Sequence, residues 1–289
     1  MRSEELLVTS FFQAHPDDAA RILEMTPPRE VAGLLGNIAP DAAAAVVQRM
    51  ASLSTASCLV TMLPEQAAAA AAILAELPMD STVRLLRRMD PAVQEALLGL
   101  LPEAMARPAR LLLQYPENTA GGLMDPKAHA VPEDIPAEKV HFLIRHDPEN
   151  IFYYMYVVDR DHKLTGVIDL RQLMRADPSA PVGSIMDSDV TMLPAGMDLV
   201  TLLRHPGWRD FDALPVVDEK GVFLGMIRQR LIRQMSQSAE KGGHLMESWE
   251  VLLALGELYW IGVGEFLELL MQPWQPAPAR GASAQGESA

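Results

Sequence analysis

Few side chains in this chain have the type and spacing that chemistry needs. His141 and His146 are five residues apart. On a helix that separation turns them about 140° away from each other, off the spacing of a helical metal site. Cys58 is the only cysteine, so neither a disulfide framework nor a cysteine-ligated metal is available. It lies in an Ala/Leu-rich helical region and is read as a core thiol. His15 precedes a helix and reads as a surface or capping residue. The sequence has no Gly-rich phosphate loop, no nucleophile elbow and no His-Glu-x-x-His, so an enzyme is not expected. Carboxylates are what it has in excess: 38 Asp and Glu against 24 Lys and Arg, a net charge of −14. The acids are spread along the chain and no segment is basic. That balance permits a divalent cation as ligand. It argues against nucleic acid and anionic membrane surfaces as partners. The start, Met1-Arg2-Ser3-Glu4-Glu5, has no signal-peptide apolar core, so the expected location is cytoplasmic.

The elements that must position these residues fall into two kinds. Up to residue 114 the chain is punctuated by Pro16, Pro27-Pro28, Pro40, Pro64, Pro78, Pro91 and Pro102. The intervals suit three-turn helices. Acids follow several of the prolines, as in Pro16-Asp17-Asp18, Pro40-Asp41 and Pro64-Glu65. Proline suits the first helical position and acids suit the helix dipole there. Apolar spacings such as Val83, Leu86, Met89 are helical. The expectation is about eight short helices stacked as a solenoid over residues 1–114.

A junction follows at 115–123, Tyr-Pro-Glu-Asn-Thr-Ala-Gly-Gly-Leu, where Gly121-Gly122 is expected to end the helical run and let the backbone turn. Beyond it two blocks align without gaps at a separation of 59 residues. Tyr156-Val157-Val158-Asp159 and Gly166-Val167-Ile168 match Pro215-Val216-Val217-Asp218 and Gly225-Met226-Ile227. Apolar β-branched runs before an acidic turn make strands. Helices are expected near Ala137–Arg145 and Leu199–Arg204 before the strands, and at Leu170–Arg175 and Arg230–Met235 after them. Leu123-Met124-Asp125 recurs as Ile185-Met186-Asp187, so each copy opens alike. A sheet face of this size cannot be buried by one copy, so the two, 124–180 and 181–238, should pack together.

Here the chain resembles known families. The paired units look like two cystathionine-β-synthase (CBS) domains, a Bateman module. A helical stack joined to them by Tyr-Pro-Glu-Asn-Thr-Ala-Gly-Gly-Leu-Met is similar to the cytosolic half of the MgtE magnesium transporter family, over roughly residues 10 to 240. The fold expected is α+β multidomain, an all-α solenoid followed by a tandem CBS module. The resemblance implies Mg2+ at an acidic interface between stack and CBS pair, control of a membrane pore, dimerisation of the CBS pair, and adenine nucleotide in some members. It places metal ligands at Asp80, Asp198 and Asp210, with solvated surface acids or helix caps as the alternative. Arg84 and Val200 stand where the family carries further ligands, so only weak Mg2+ binding is expected. Tyr154, Arg171 and Phe211 fall at base- and phosphate-contacting positions, although Tyr154 and Phe211 also suit groove packing. Nucleotide-binding CBS domains carry Ser/Thr after the Gly-x-x strand and Asp three residues later. Asp169 and Gln172 replace them in one copy, Arg228 and Leu231 in the other, so adenine nucleotide is not expected.

After Lys241-Gly242-Gly243 comes an apolar stretch, 244–272, where the resembled family begins its membrane domain. Glu250, Glu257, Glu265 and Glu268 lie inside it, and carboxylates near the centre of a span are costly. With Glu247 they occupy one helical stripe of about 80°. The expectation is an amphipathic interaction helix anchored by Trp249, Trp260 and Phe266, not a span, with a Pro/Ala/Gly/Ser-rich disordered tail at 273–289. The function expected is a non-catalytic, ligand-sensing regulator without a pore, homodimeric and bound to an unidentified protein partner. The alternatives are an accessory subunit working with a separate membrane pore, and a structural adaptor whose sensor has degenerated.

Overall fold

The computed structural model describes residues 2–146 and 154–237. Eight helices precede the junction: α1 (Arg2–Ala14), α2 (Pro16–Glu24), α3 (Pro28–Leu35), α4 (Pro40–Val47), α5 (Ser52–Glu76), α6 (Met79–Leu86), α7 (Pro91–Leu100) and α8 (Glu103–Leu113). Proline opens α2, α3, α4 and α7, while Pro78 and Pro102 are the N-caps of α6 and α8. The break expected at Pro64 appears two residues later, as a kink inside α5. Two helical runs meet there at Gln66, whose backbone is not helical (φ −131°, ψ 32°). Helix α5 packs against α3, α4, α6 and α7 and is the spine of the stack. Leu59, Ile73 and Leu74 line its buried side, and Cys58 is buried as expected, burial pushing its thiol up.

The junction is ordered. Thr119 caps a one-turn helix, α9 (Ala120–Leu123), by accepting from Gly122 N. Neither glycine there takes a left-handed conformation, so the expected glycine turn is corrected to close packing. A Cβ on Gly121 would meet the Tyr115 ring at 2.5 Å, and one on Gly122 would meet Pro116 O at 2.1 Å. The Arg87 guanidinium donates to Tyr115 O (2.7 Å) and Leu112 O (2.8 Å), satisfying carbonyls freed at the end of α8.

Two three-stranded sheets follow. The first holds β1 (Ala130–Pro132) parallel to β2 (Tyr154–Val158), which pairs antiparallel with β3 (Leu164–Asp169). Helix α10 (Ala137–His146) lies between β1 and β2 in sequence, and α11 (Leu170–Arg175) follows β3. The second repeats it with β4 (Leu193–Pro194), α12 (Leu199–Leu203), β5 (Ala213–Val217) and β6 (Phe223–Arg228). Residues 229–237 continue as a helix, α13. The hairpins match in detail: Val157 pairs Gly166 and Val216 pairs Gly225, with a register shift one residue later in both.

The two copies exchange their opening segments. Asp125 pairs with Met226 of the second sheet through two backbone hydrogen bonds (2.7 and 3.1 Å). Asp187 pairs with Val167 of the first sheet in the same way (2.9 and 2.8 Å). The hairpin tips also meet, Leu164 N donating to Gly221 O and Phe223 N to His162 O. The acids of the turns hold them: Asp159 Oδ1 accepts from Asp161 and Lys163, and Asp218 Oδ1 from Lys220 and Val222. Between the sheets lie Tyr156, Leu164, Ala213, Val217 and Met226, the face neither copy can bury alone.

Candidate functional site

Tyr154 at the start of β2 and Phe211 just before β5 line one cleft, together with Tyr156, Val167, Asp187 and Asp189. Its accessible volume is about 40 Å³. Burial, then the charges of Asp212 and Asp169, push the Tyr154 phenol up. Tyr156 is buried and pushed up mainly by desolvation. Arg171 does not line the cleft. Its exposed guanidinium lies 3.9 Å from Asp169.

The two signature positions serve the fold itself. Asp169 and Gln172 form a capping box at the start of α11, Gln172 N donating to Asp169 (2.6 Å) and Asp169 N to Gln172 (2.8 Å). In the second copy Arg228 Nη2 bonds Asp125 Oδ2 at 2.7 Å, tying the exchanged opening segment to β6. Leu231 packs against the main core.

The three acids occupy separate local settings. Asp80 is exposed in the first turn of α6 and paired with Arg84 at 3.1 Å. Asp198 caps α12: Oδ1 accepts from Val200 N and Thr201 N, and Oδ2 from the Thr201 hydroxyl at 2.7 Å. Those bonds, led by the Thr201 hydroxyl, hold its carboxyl below the usual carboxylate range. Asp210 is exposed at the end of the Pro206–Arg209 3-10 turn. Among the described residues no group of three or more His, Cys, Asp or Glu is gathered as a metal would require. His141 bonds Leu173 O and His146 bonds Phe142 O, so the two rings serve different partners. Sequence reasoning missed Asp187 and Asp189 in the cleft and Asp125 at the equivalent crossing onto the second sheet. The repeated Met-Asp at the two openings was the available signal. Trp249, Trp260, Phe266 and the 244–272 segment lie outside the described residues.

Two small mixed sheets exchanging their openings, behind a helical stack, define a Bateman-type module with an appended helical domain. Family models agree: the MgtE intracellular N domain matches residues 14–118, and the CBS domain matches 120–179 and 182–236. The magnesium transporter MgtE of Thermus thermophilus is 38% identical over 147 residues, half of this chain and 33% of that protein. A crystal structure of the cytosolic domain of the Mg2+ channel MgtE in complex with ATP is 30% identical, with a TM-score of 0.59 over 78% of this chain and 93% of the other. The soluble part of a magnesium transporter shares the fold at 20% identity and a TM-score of 0.54, over 83% of this chain and 99% of the other. The chain belongs to the MgtE family, carrying that family's N domain and CBS pair. It spans between 26% and 38% of the length of the curated relatives it matches. Among the described residues no helix is long and apolar enough to cross a membrane. The ATP complex of a relative corrects one expectation: substitutions at the two signature positions are not sufficient ground for excluding an adenine nucleotide here.

Proposed function

We propose that this chain is a non-catalytic, cytoplasmic regulatory module that senses Mg2+ weakly and acts through protein contacts. The observation that carries the reading is its match to nearly the whole of an MgtE cytosolic domain, helical stack and CBS pair together. Asp80, Asp198 and Asp210 are the proposed contacts to a hydrated ion, which suits Mg2+ because that ion keeps several waters and needs few carboxylates. The cleft of Tyr154 and Phe211 is the proposed adenine site, with Arg171 reaching a phosphate and no carboxylate at 172 or 231 for the ribose. Self-association through the CBS pair belongs to the same reading, as does a protein partner held by 244–272.

Calorimetric titration of the full chain with MgCl2, and separately with ATP and AMP, tests it. Millimolar Mg2+ binding that Asp210→Asn and Asp80→Asn both weaken is the expected result. No heat with any of the three ligands overturns the sensing role. In that event the adaptor with a degenerate sensor is the better reading, favoured already by the Arg84–Asp80 pair and by the cap that occupies Asp198. An accessory role beside a separate pore is tested by co-purification of a membrane protein with the full chain and its loss on deleting 244–289.

A further inference from the structure

The hairpin of the first copy carries a second cavity at its far end. Tyr154 pairs with Asp169 at one end of β2 and β3, and Val158 with Leu164 at the other. At this other end lies an opening of about 380 Å³, a size found among small-molecule sites, which run from roughly 300 to 1,000 Å³. Three kinds of group line it. Pro132, Val158 and Phe223 are apolar. The Phe223 ring comes from the second copy and rests against Tyr156, ring centroids 4.9 Å apart. Arg160 and His162 are basic. His162 holds a left-handed backbone (φ +60°), a conformation that clusters at functional sites when the residue is not glycine. Asp134 and Asp159 are acidic. Among the described residues Arg160 and Asp134 have no side-chain hydrogen bond or ion pair. Asp159 gives only Oδ1 to its turn, which leaves Oδ2 open.

The internal repeat separates what the fold needs from what it does not. Asp159 recurs as Asp218, and both hold a turn. The other polar and aromatic groups do not recur. The residues 59 positions on from Arg160 and His162 are Glu219 and Gly221, and the residue 59 positions before Phe223 is Leu164. Pro132 pairs Val158 as Pro194 pairs Val217, so Asp134 corresponds to Gly196. The second hairpin closes without the base, the aromatic or the free acid, so closing a hairpin does not explain them in the first.

A base, two carboxylates with open oxygens and an aromatic platform around one small cavity suit a zwitterion with an apolar side chain. A simple organic anion would meet Asp134 and Asp159, and a simple organic cation would meet Arg160. A molecule carrying both charges close together satisfies all three. We propose that this cavity binds a free α-amino acid with an apolar or aromatic side chain. Its carboxylate pairs with the Arg160 guanidinium beside His162, and its ammonium with Asp134 and Asp159 Oδ2. Its side chain packs on Phe223. The platform comes from the second copy and the charges from the first, so the ligand bridges the copies and stabilises the folded pair. The site is separate from the Tyr154 cleft and from the proposed Mg2+ contacts, and gives the module a further input.

The test is calorimetric titration of the full chain with L-phenylalanine and L-leucine, backed by thermal melts in their presence. Phenylacetate, which lacks the ammonium, and phenethylamine, which lacks the carboxylate, are the comparison compounds. At least one of the amino acids is expected to bind and to raise Tm. Each comparison compound should bind about tenfold or more weakly than L-phenylalanine, in keeping with the loss of a hydrogen bond to a charged group. Arg160→Glu and Phe223→Leu install the second copy's residues, and Asp134→Asn removes the free acid. Each should weaken amino-acid binding about tenfold. Arg160 and Asp134 are exposed, so their variants should keep the fold, which circular dichroism checks. No heat and no shift in Tm with either amino acid at millimolar concentration overturns the proposal. So does equal binding of L-phenylalanine and the two comparison compounds, or binding that none of the substitutions weakens. Displacement of the amino acid by ATP would put it in the Tyr154 cleft and overturn the assignment to this cavity. The Mg2+ titration is unaffected by any of these outcomes, so the sensing role stands or falls separately.

Discussion

Arg84 Nη2 lies 3.1 Å from Asp80 Oδ2, one helical turn along α6. Both side chains are exposed, so the pair contributes little to stability. Its consequence is electrostatic: a fixed cation sits beside a carboxylate proposed to hold Mg2+. Replacing Arg84 by Glu removes that cation and adds a second oxygen ligand at the same place. Mg2+ affinity should rise by about tenfold, measured by calorimetry at fixed ionic strength. An unchanged affinity would mean that Asp80 does not bind the ion.

Asp198 is tested by separating its cap from its charge. Asn keeps an acceptor for the two backbone N–H bonds but loses the acceptor of the Thr201 hydroxyl, so Asp198→Asn should lower the melting temperature at neutral pH by less than Asp198→Ala, which should lower it by about 2 to 4 °C. If the carboxylate also holds Mg2+, the Asn variant loses the Mg2+ response while keeping the fold. The sign of the pH effect follows from the lowered pKa of the carboxyl. The native carboxylate is favoured, so its stabilising contribution is complete above the ordinary carboxylate range and disappears as pH falls below it. Thermal melts from neutral pH down to about pH 3 should show the wild type converging on Asp198→Asn at the acid end.

Gln172 stands where a ribose-binding carboxylate is expected, and it closes a capping box with Asp169. Substituting Asp offers the ribose hydroxyls a charged acceptor and gives up the side-chain bond to Asp169 N. ATP binding should tighten about tenfold, in keeping with a hydrogen bond to a charged group, and Tyr154→Ala should weaken it. If Gln172→Asp leaves ATP affinity unaltered while Tyr154→Ala abolishes it, the ribose is held elsewhere in the cleft.

What could be read from sequence follows from length scales. The 59-residue offset exposed the paired hairpins, because alternating apolar strands and an acidic turn are local patterns. It also exposed Gly221, which sits at φ +83°. Its equivalent, His162, adopts φ +60° without being glycine, and nothing local marks it. Strands β1 and β4 are three and two residues long, too short for any periodicity, and exist only because β2 and β5 offer them an edge. Asp80, Asp198 and Asp210 were visible as acids. Whether an acid caps a helix or pairs with a neighbour depends on where Thr201 and Arg84 fall, which spacing hints at but packing decides.

The exchange of opening segments makes its own prediction at two glycines. A Cβ on Gly225 would stand 2.5 Å from Asp125 O and 3.1 Å from Pro126 Cα, both backbone atoms of the segment crossing from the first copy. A Cβ on Gly166 would meet chiefly Met186 Sδ at 2.4 Å, the end of a flexible side chain, with Asp187 O at 3.0 Å. Flexible thioethers move aside at little cost, whereas a hydrogen-bonded backbone does not. Gly225→Ala should therefore destabilise the chain by about 2 kcal/mol and Gly166→Ala by about half as much, read from urea denaturation midpoints. Because Asp125 is also tied to Arg228 at 2.7 Å, the Gly225 variant must strain that ion pair too. Adding Asp125→Ala to Gly225→Ala should then cost less than Asp125→Ala does alone. Equal losses at the two glycines, with Asp125→Ala fully additive, would show that the copies do not hold each other through these crossings.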